Sequence, residues 1–299
     1  MELQEFTQKV RKGVSSRLGE QYQVKIKQVR KNNNVLLYGL IVQKQGQNVY
    51  PTIYLEQFWK RYEDGTSLSR VVDHIIEIYH RDAPGKEMDF RFFEDFEQVK
   101  DRICFRLIHR ERNAQLLKQI PYVPYLDLAV CFFYSYEDQC LGKGTILIYE
   151  NHVEQWQTTL EELMRCAMKN TPLLYPGEVR SMEAMLRQLM KAEELRGEIL
   201  DAKDMPMMVV SNASGCFGAT VMLYPDFWDK LGMAWKGKFY ILPSSVHEVI
   251  LLKDDGEESP SKLQEMVREI NQCEVDPTEV LSDSIYHYDI ADKVIRRIL

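Results

Sequence analysis

Tyr22-Gln23-Val24-Lys25-Ile26-Lys27 alternates apolar and polar side chains, the period of a half-buried strand. Lys31-Asn32-Asn33-Asn34 follows as a turn, because asparagine tolerates left-handed backbone angles. Val35 to Val42 is nearly all apolar and reads as a strand covered on both faces. A second turn at Gln45-Gly46-Gln47-Asn48 leads to a third strand, Val49 to Tyr54. Three such strands joined by short turns form an antiparallel meander. A meander flanked by helices indicates an α+β fold and argues against a doubly wound parallel sheet.

Helical periods lie on both sides of this meander. Before it, Phe6, Val10 and Val14 recur every four residues, and Leu18 continues the stripe over 3–18. After it, 56–62 reads as a short helix ending near Gly65, and Thr66 or Ser67 can cap the next one. That next helix carries Leu68, Val71, Val72, Ile75, Ile76 and Tyr79 on one face without a miss. Further along, strands are expected at 103–108, 126–136, 145–149, 207–210, 216–223, 239–242, 246–252 and 284–288. Helices are expected at 93–99, 111–118, 156–168 and 178–200, and after Ser259-Pro260, where Leu263, Met266, Val267 and Ile270 share a face. Asp276-Pro277-Thr278-Glu279 has the cap, proline and glutamate of another helix start. The organisation expected is a 1–120 N-terminal α+β subdomain and a 121–299 C-terminal one, with one compact domain as the alternative.

A weak repeat runs through the chain. Tyr54, Tyr149 and Tyr224 each follow strand-like residues, and each is followed by an acidic residue and then by Trp59, Trp156 or Trp228. The pattern suggests a repeated hairpin-helix unit in which the tyrosine pins the helix onto its strand.

Composition bounds the class. Hydrophobic residues make up 45% and charged residues 28%, which places the chain among ordinary globular proteins and away from disordered ones. Met1 to Phe6 lacks a basic region followed by an apolar run, and no window approaches a membrane span. A cytoplasmic protein without membrane contact is expected, with its six cysteines reduced and no bound cofactor. The net charge of −7 conceals an asymmetry. Residues 1–31 carry eight basic against three acidic side chains, and residues 253–292 carry twelve acidic against three basic. The plain reading is a pair of solvated faces; the sharper one is a basic surface for an acidic partner.

Candidate chemistry is sparse. Ser244-Ser245-Val246-His247-Glu248 gathers hydroxyls, an imidazole and a carboxylate. Within one strand, however, His247 and Glu248 would face opposite sides, and a triad is assembled from distant positions. The pair His247-Glu248 lacks the second histidine of a zinc-protease helix, because Leu251 stands there. Gly142-Lys143-Gly144-Thr145 is a fragment of a phosphate loop without its first glycine, and it reads as a hairpin turn. The six histidines have no metal-ligand spacing, so no metal is expected. The aromatic strand Cys131-Phe132-Phe133-Tyr134-Ser135-Tyr136 suits a core or a partner groove.

Phe239 to Leu251 and Val280-Leu281-Ser282-Asp283-Ser284-Ile285-Tyr286 resemble a bacterial family catalogued only as a domain of unknown function, associated with anaerobic gut bacteria. Tyr50 to Leu55 and Gly218 to Pro225 share the resemblance, which covers most of the chain. It implies an intracellular bacterial protein and carries no assigned reaction.

Three functions follow as expectations. The first is a non-catalytic binding protein for a protein or peptide partner. The second is a serine-type hydrolase using Ser244 or Ser245 with His247. The third is nucleic-acid binding through the basic N-terminal region.

Overall fold

The computed structural model describes residues 1–83, 87–138, 142–181, 207–235, 237–243 and 245–299. Its architecture is α+β, and the strand pairings are antiparallel. The chain forms two compact units. One comprises residues 1–92 and 137–143; the other comprises 93–136 and 144–299.

The first unit follows the order α1 (Leu3–Leu18), β1 (Tyr22–Arg30), β2 (Leu36–Lys44), β3 (Thr52–Tyr54), α2 (Glu56–Glu63) and α3 (Leu68–Asp82). The strands pair in sequence order, and Val24 lies opposite Val42 and Leu40 opposite Ile53. These four apolar side chains face the helices. They join Phe6, Val10 and Val14 of α1 and Val71, Val72, Ile75 and Tyr79 of α3 in one buried cluster. Both helical periods read from the sequence are therefore core-facing. Ser67 caps α3 by accepting the Arg70 N–H. β2 differs from expectation: Leu37 and Ile41 on its outer side are only half-buried, so the strand is not fully covered on both faces.

The second unit contains α4 (Phe96–Val99), β4 (Ile103–His109), β5 (Tyr122–Tyr125), β6 (Leu128–Asp138), β7 (Gly142–Leu147), α5 (Glu150–Trp156), α6 (Leu160–Leu174), β8 (Gly177–Ser181), β9 (Met207–Asn212), α7 (Phe227–Trp235), β10 (Lys238–Leu242), β11 (Val249–Lys253), α8 (Pro260–Cys273), β12 (Tyr286–Asp289) and β13 (Val294–Arg297). The first two residues of β7 and the end of β6 belong to the first unit. One sheet has the order β4-β6-β5 with β7 also on β6; the other runs β13-β12-β10-β11-β9-β8. Leu263 and Val267 of α8 pack on Tyr240, Leu242 and Leu252, as the apolar face of 260–273 predicts.

Several expectations are corrected here. Gly218 to Leu223 is a 3-10 helix rather than a strand. Residues 111–118 hold turns and one short 3-10 segment instead of a helix. The helix expected at 156–168 is two helices, broken at Gln157, whose φ of 51° leaves the helical region. Asp276 to Glu279 closes a turn in which the Asp276 carboxylate accepts the Thr278 N–H at 2.7 Å, and no helix follows. Of the long helix expected over 178–200, residues 178–181 belong to β8, and residues 182–200 lie outside the described residues.

Tyr54 and Tyr149 stand at a strand-to-helix junction, whereas Tyr224 follows the 3-10 helix and donates from its hydroxyl to the Tyr175 carbonyl oxygen at 2.7 Å. The third copy of the repeat is thus a different unit with similar letters.

Thr159 caps α6 by accepting the Glu162 N–H at 3.2 Å. Its replacement by alanine is expected to cost about 1 kcal/mol, visible as a lower urea midpoint by circular dichroism.

Candidate functional site

Two polar centres occur in the second unit. The first surrounds His247. Strand β11 begins only at Val249, so His247 and Glu248 are not consecutive strand residues as the sequence predicts. Instead the Val246 N–H bonds the Glu279 carbonyl oxygen, and Ser245 bridges Val280. Ser245 Oγ accepts the His247 N–H at 3.1 Å, which makes it a turn-stabilising group. The His247 imidazole accepts the Phe217 N–H at Nδ1, 3.2 Å away. That bond assigns the ring proton to Nε2, which faces Glu279 Oε1 at 3.5 Å. The ring stacks on Phe217 with an interplanar angle of 11° and centroids 5.9 Å apart. Ser244 lies outside the described residues. Glu248 lines a separate cleft of about 240 Å³ with Glu178, Arg180, Ser211 and the loop Asn212–Gly215. In that loop the Asn212 Oδ1 accepts from both the N–H and the hydroxyl of Ser214, so its polar groups are engaged in its own turn. Ser245 thus binds the His247 backbone, the His247 ring turns to Phe217 and Glu279, and Glu248 lines a different cleft.

Phe217 carries a left-handed backbone with φ of 54°, uncommon for a bulky residue. Gly218 explains how it is held. A Cβ at Gly218 would collide with the His247 carbonyl oxygen and Ser211 Oγ, and would lie 2.9 Å from Asn212 N. The backbone passes through a gap that only glycine fits. Ser211 Oγ completes the clamp by donating to the His247 carbonyl oxygen at 2.7 Å. On Phe217 also rests the Arg106 guanidinium, 5.2 Å from the ring centroid.

The second centre is built on Asp127, in the turn between β5 and β6 where Leu126 takes a φ of 54°. Asp127 is buried. Its Oδ2 accepts from Ser282 Oγ at 2.6 Å and Ser284 Oγ at 2.8 Å, and its Oδ1 accepts from the Tyr286 hydroxyl at 2.6 Å. The spacing 282, 284, 286 is that of extended chain, which sets three hydroxyls on one side. Burial pushes the Asp127 carboxyl up, but the bonds from Ser282, Tyr286 and Ser284 together hold it below the ordinary carboxylate value.

Around this carboxylate lies a cleft of about 170 Å³, lined by His109, Glu111, Asp127, Gln264, Arg268, Ser282, Asp283, Ser284 and Arg297. The His109 Nδ1 accepts the Arg112 N–H at 3.2 Å, so its Nε2 carries the proton and faces Asp127 Oδ2 at 3.8 Å. Burial first, and the Arg112 charge second, lower the His109 pKa, so the ring is neutral at pH 7. Asp283 is held by Arg112 at 2.5 Å and by the Asn271 amide at 2.8 Å. Arg268, on α8, is exposed and has no ion pair among the described residues.

Imidazole, hydroxyl and carboxylate therefore meet in one cleft that no local sequence pattern announces. Their proton directions matter more than their proximity. Each serine hydroxyl donates straight to the carboxylate, with no imidazole between them. A triad needs the imidazole to receive the hydroxyl proton and the carboxylate to hold the imidazole. Four of the described cysteines are disfavoured as thiolates by burial. Burial pushes Cys104 and Cys131 up to about 12 and raises Cys166 and Cys216.

The described cysteines are unpaired. No group of three or more potential metal ligands occurs among the described residues. No helix among them is long and apolar enough to cross a membrane.

A family model described as a family of unknown function, DUF5688, matches residues 3–290. No curated protein and no solved structure matches the chain.

Proposed function

Since the chain belongs to the DUF5688 family, whose function is unknown, we propose from its geometry that it is a non-catalytic binding protein of the cytoplasm. The cleft beside Asp127 receives an acidic group of a protein or peptide partner. One observation carries this reading. The cleft's two innermost acids are satisfied from within, Asp127 by three hydroxyls and Asp283 by Arg112 and Asn271, while Arg268 offers donors to the outside. Arg268 and Arg297 thus present exposed guanidinium donors at the cleft, beside the exposed Glu111 carboxylate, and guanidinium donors suit carboxylate geometry. Its volume of about 170 Å³ falls below the ~300–1,000 Å³ of sites that enclose a small molecule, so it fits one side chain of a larger partner.

A hydrolase built on Ser245 and His247 has less support. The imidazole is occupied by Phe217 N–H and Glu279, and Ser245 Oγ is turned to a backbone N–H.

The test is fluorescence anisotropy with a labelled hexaglutamate peptide and its hexaglutamine counterpart. The wild type is expected to prefer hexaglutamate, and Arg268→Glu to weaken that binding roughly tenfold, as like charges across an interface do. Equal binding of the two peptides, or an unchanged affinity in Arg268→Glu, would remove the proposal.

A further inference from the structure

The outer face of the first unit's sheet supports a separate inference. Between Glu20 and Glu56 the chain contains no acidic residue, while Lys25, Lys27, Arg30, Lys31 and Lys44 are basic. This acid-free run forms the whole three-stranded sheet. The register fixes what points outward. Val24 and Leu40 face the core, so Lys25 and its partner Ile41, Lys27 and its partner Gly39, and Thr52 and Tyr54 of β3 lie on the opposite face. Lys25 and Lys27 are exposed, and the Lys31 Nζ stands 4.6 Å from the centre of the Tyr54 ring. Gly39 keeps this face flat: a Cβ there would lie 2.5 Å from Thr52 Cγ2.

We propose that this face binds single-stranded nucleic acid. Lysines two positions apart on one strand sit ~7 Å apart, a ladder of point charges along a flat surface. Phosphates bind such a ladder, and bases rest on the half-buried Ile41 beside Lys25 and against the Tyr54 ring that Lys31 caps. An acidic protein surface would use the charges but leave Tyr54 and Ile41 without a role.

The experiment is anisotropy of labelled oligo-dT and oligo-U of about 20 nucleotides with the full chain at about 50 and 200 mM salt. Binding is expected at low salt and should fall as salt rises. The triple variant Lys25→Gln/Lys27→Gln/Lys31→Gln should bind roughly tenfold more weakly or worse. Its log–log salt slope should be flatter by about 2, since each phosphate that a lysine no longer neutralises removes ~0.7. Lys25 and Lys27 are exposed and Lys31 is half-buried against Tyr54, outside the core cluster, and circular dichroism checks that the variant is folded. Four results would overturn the proposal: absence of binding, unchanged affinity and slope in the triple variant, displacement by hexaglutamate as effective as by unlabelled oligonucleotide, or loss of binding in Arg268→Glu.

Discussion

Replacing Gly218 by alanine is expected to destabilise the second unit by roughly 3 kcal/mol or more, at the upper end of what overpacking costs. The obstacle is rigid. The new methyl would meet the His247 carbonyl oxygen, Ser211 Oγ and the Asn212 backbone nitrogen. Two of these atoms are backbone, and Ser211 Oγ is tied to the first of them. Relief requires moving residues 217–219 away from the segment before β11, which breaks the Phe217–His247 hydrogen bond and the Ala219 N–H bond to the Val246 carbonyl oxygen. Gly144→Ala is the control, because a Cβ there meets nothing within 4 Å. Its effect should stay within about 0.5 kcal/mol. Urea unfolding followed by circular dichroism measures both; a Gly218→Ala midpoint equal to that of Gly144→Ala would contradict the packing described.

Asp127→Ala should have an effect of similar size, about 3 kcal/mol, since it strips the acceptor from three hydroxyls at once. Ser284→Ala removes one donor from a carboxylate that keeps two others, and should cost about 1 kcal/mol. The pH dependence follows from the depressed Asp127 carboxyl. The unfolded chain takes up this proton near pH 3.9, and the folded protein only at lower pH. The contribution of Asp127 is therefore complete above pH ~4 and is lost as the pH falls through the lower folded value. The stability gap between wild type and Asp127→Ala should be constant from pH 7 to about 5 and shrink below 4. A gap that widens with acid would reverse the assignment.

What the sequence disclosed was what depends on near neighbours. The stripe of α3 and the alternation of β1 are periodic, and a period read over a dozen residues survives folding. Gly218 to Leu223 misled because five successive residues, Gly218 to Met222, are buried. A run buried on all sides has no period, and its β-branched residues suggest a strand. Residues 246–248 misled for another reason: the backbone of Val246 bonds Glu279 and Ala219, and the strand begins only at Val249.

Site residues were legible only in part. The hydroxyls at 282, 284 and 286 have visible strand spacing within a stretch that marks the family resemblance. Their common acceptor lies 155 positions away from Ser282, and nothing local to Asp127 announces it. His109 lines the same cleft from the end of β4, and Arg112 bonds its Asp283, again through tertiary structure alone. Charge asymmetry pointed to the basic first third, but only the strand register shows that Lys25 and Lys27 share the outer face.

The central claim is that the hydroxyls near the two imidazoles serve as structural donors and acceptors, and that the molecule acts by binding. Incubation of the folded protein with a fluorophosphonate, followed by peptide mass spectrometry, tests it most directly. Ser244, Ser245, Ser282 and Ser284 are expected to remain unmodified at a concentration that labels a serine hydrolase completely. A stoichiometric adduct on any of them would contradict the claim.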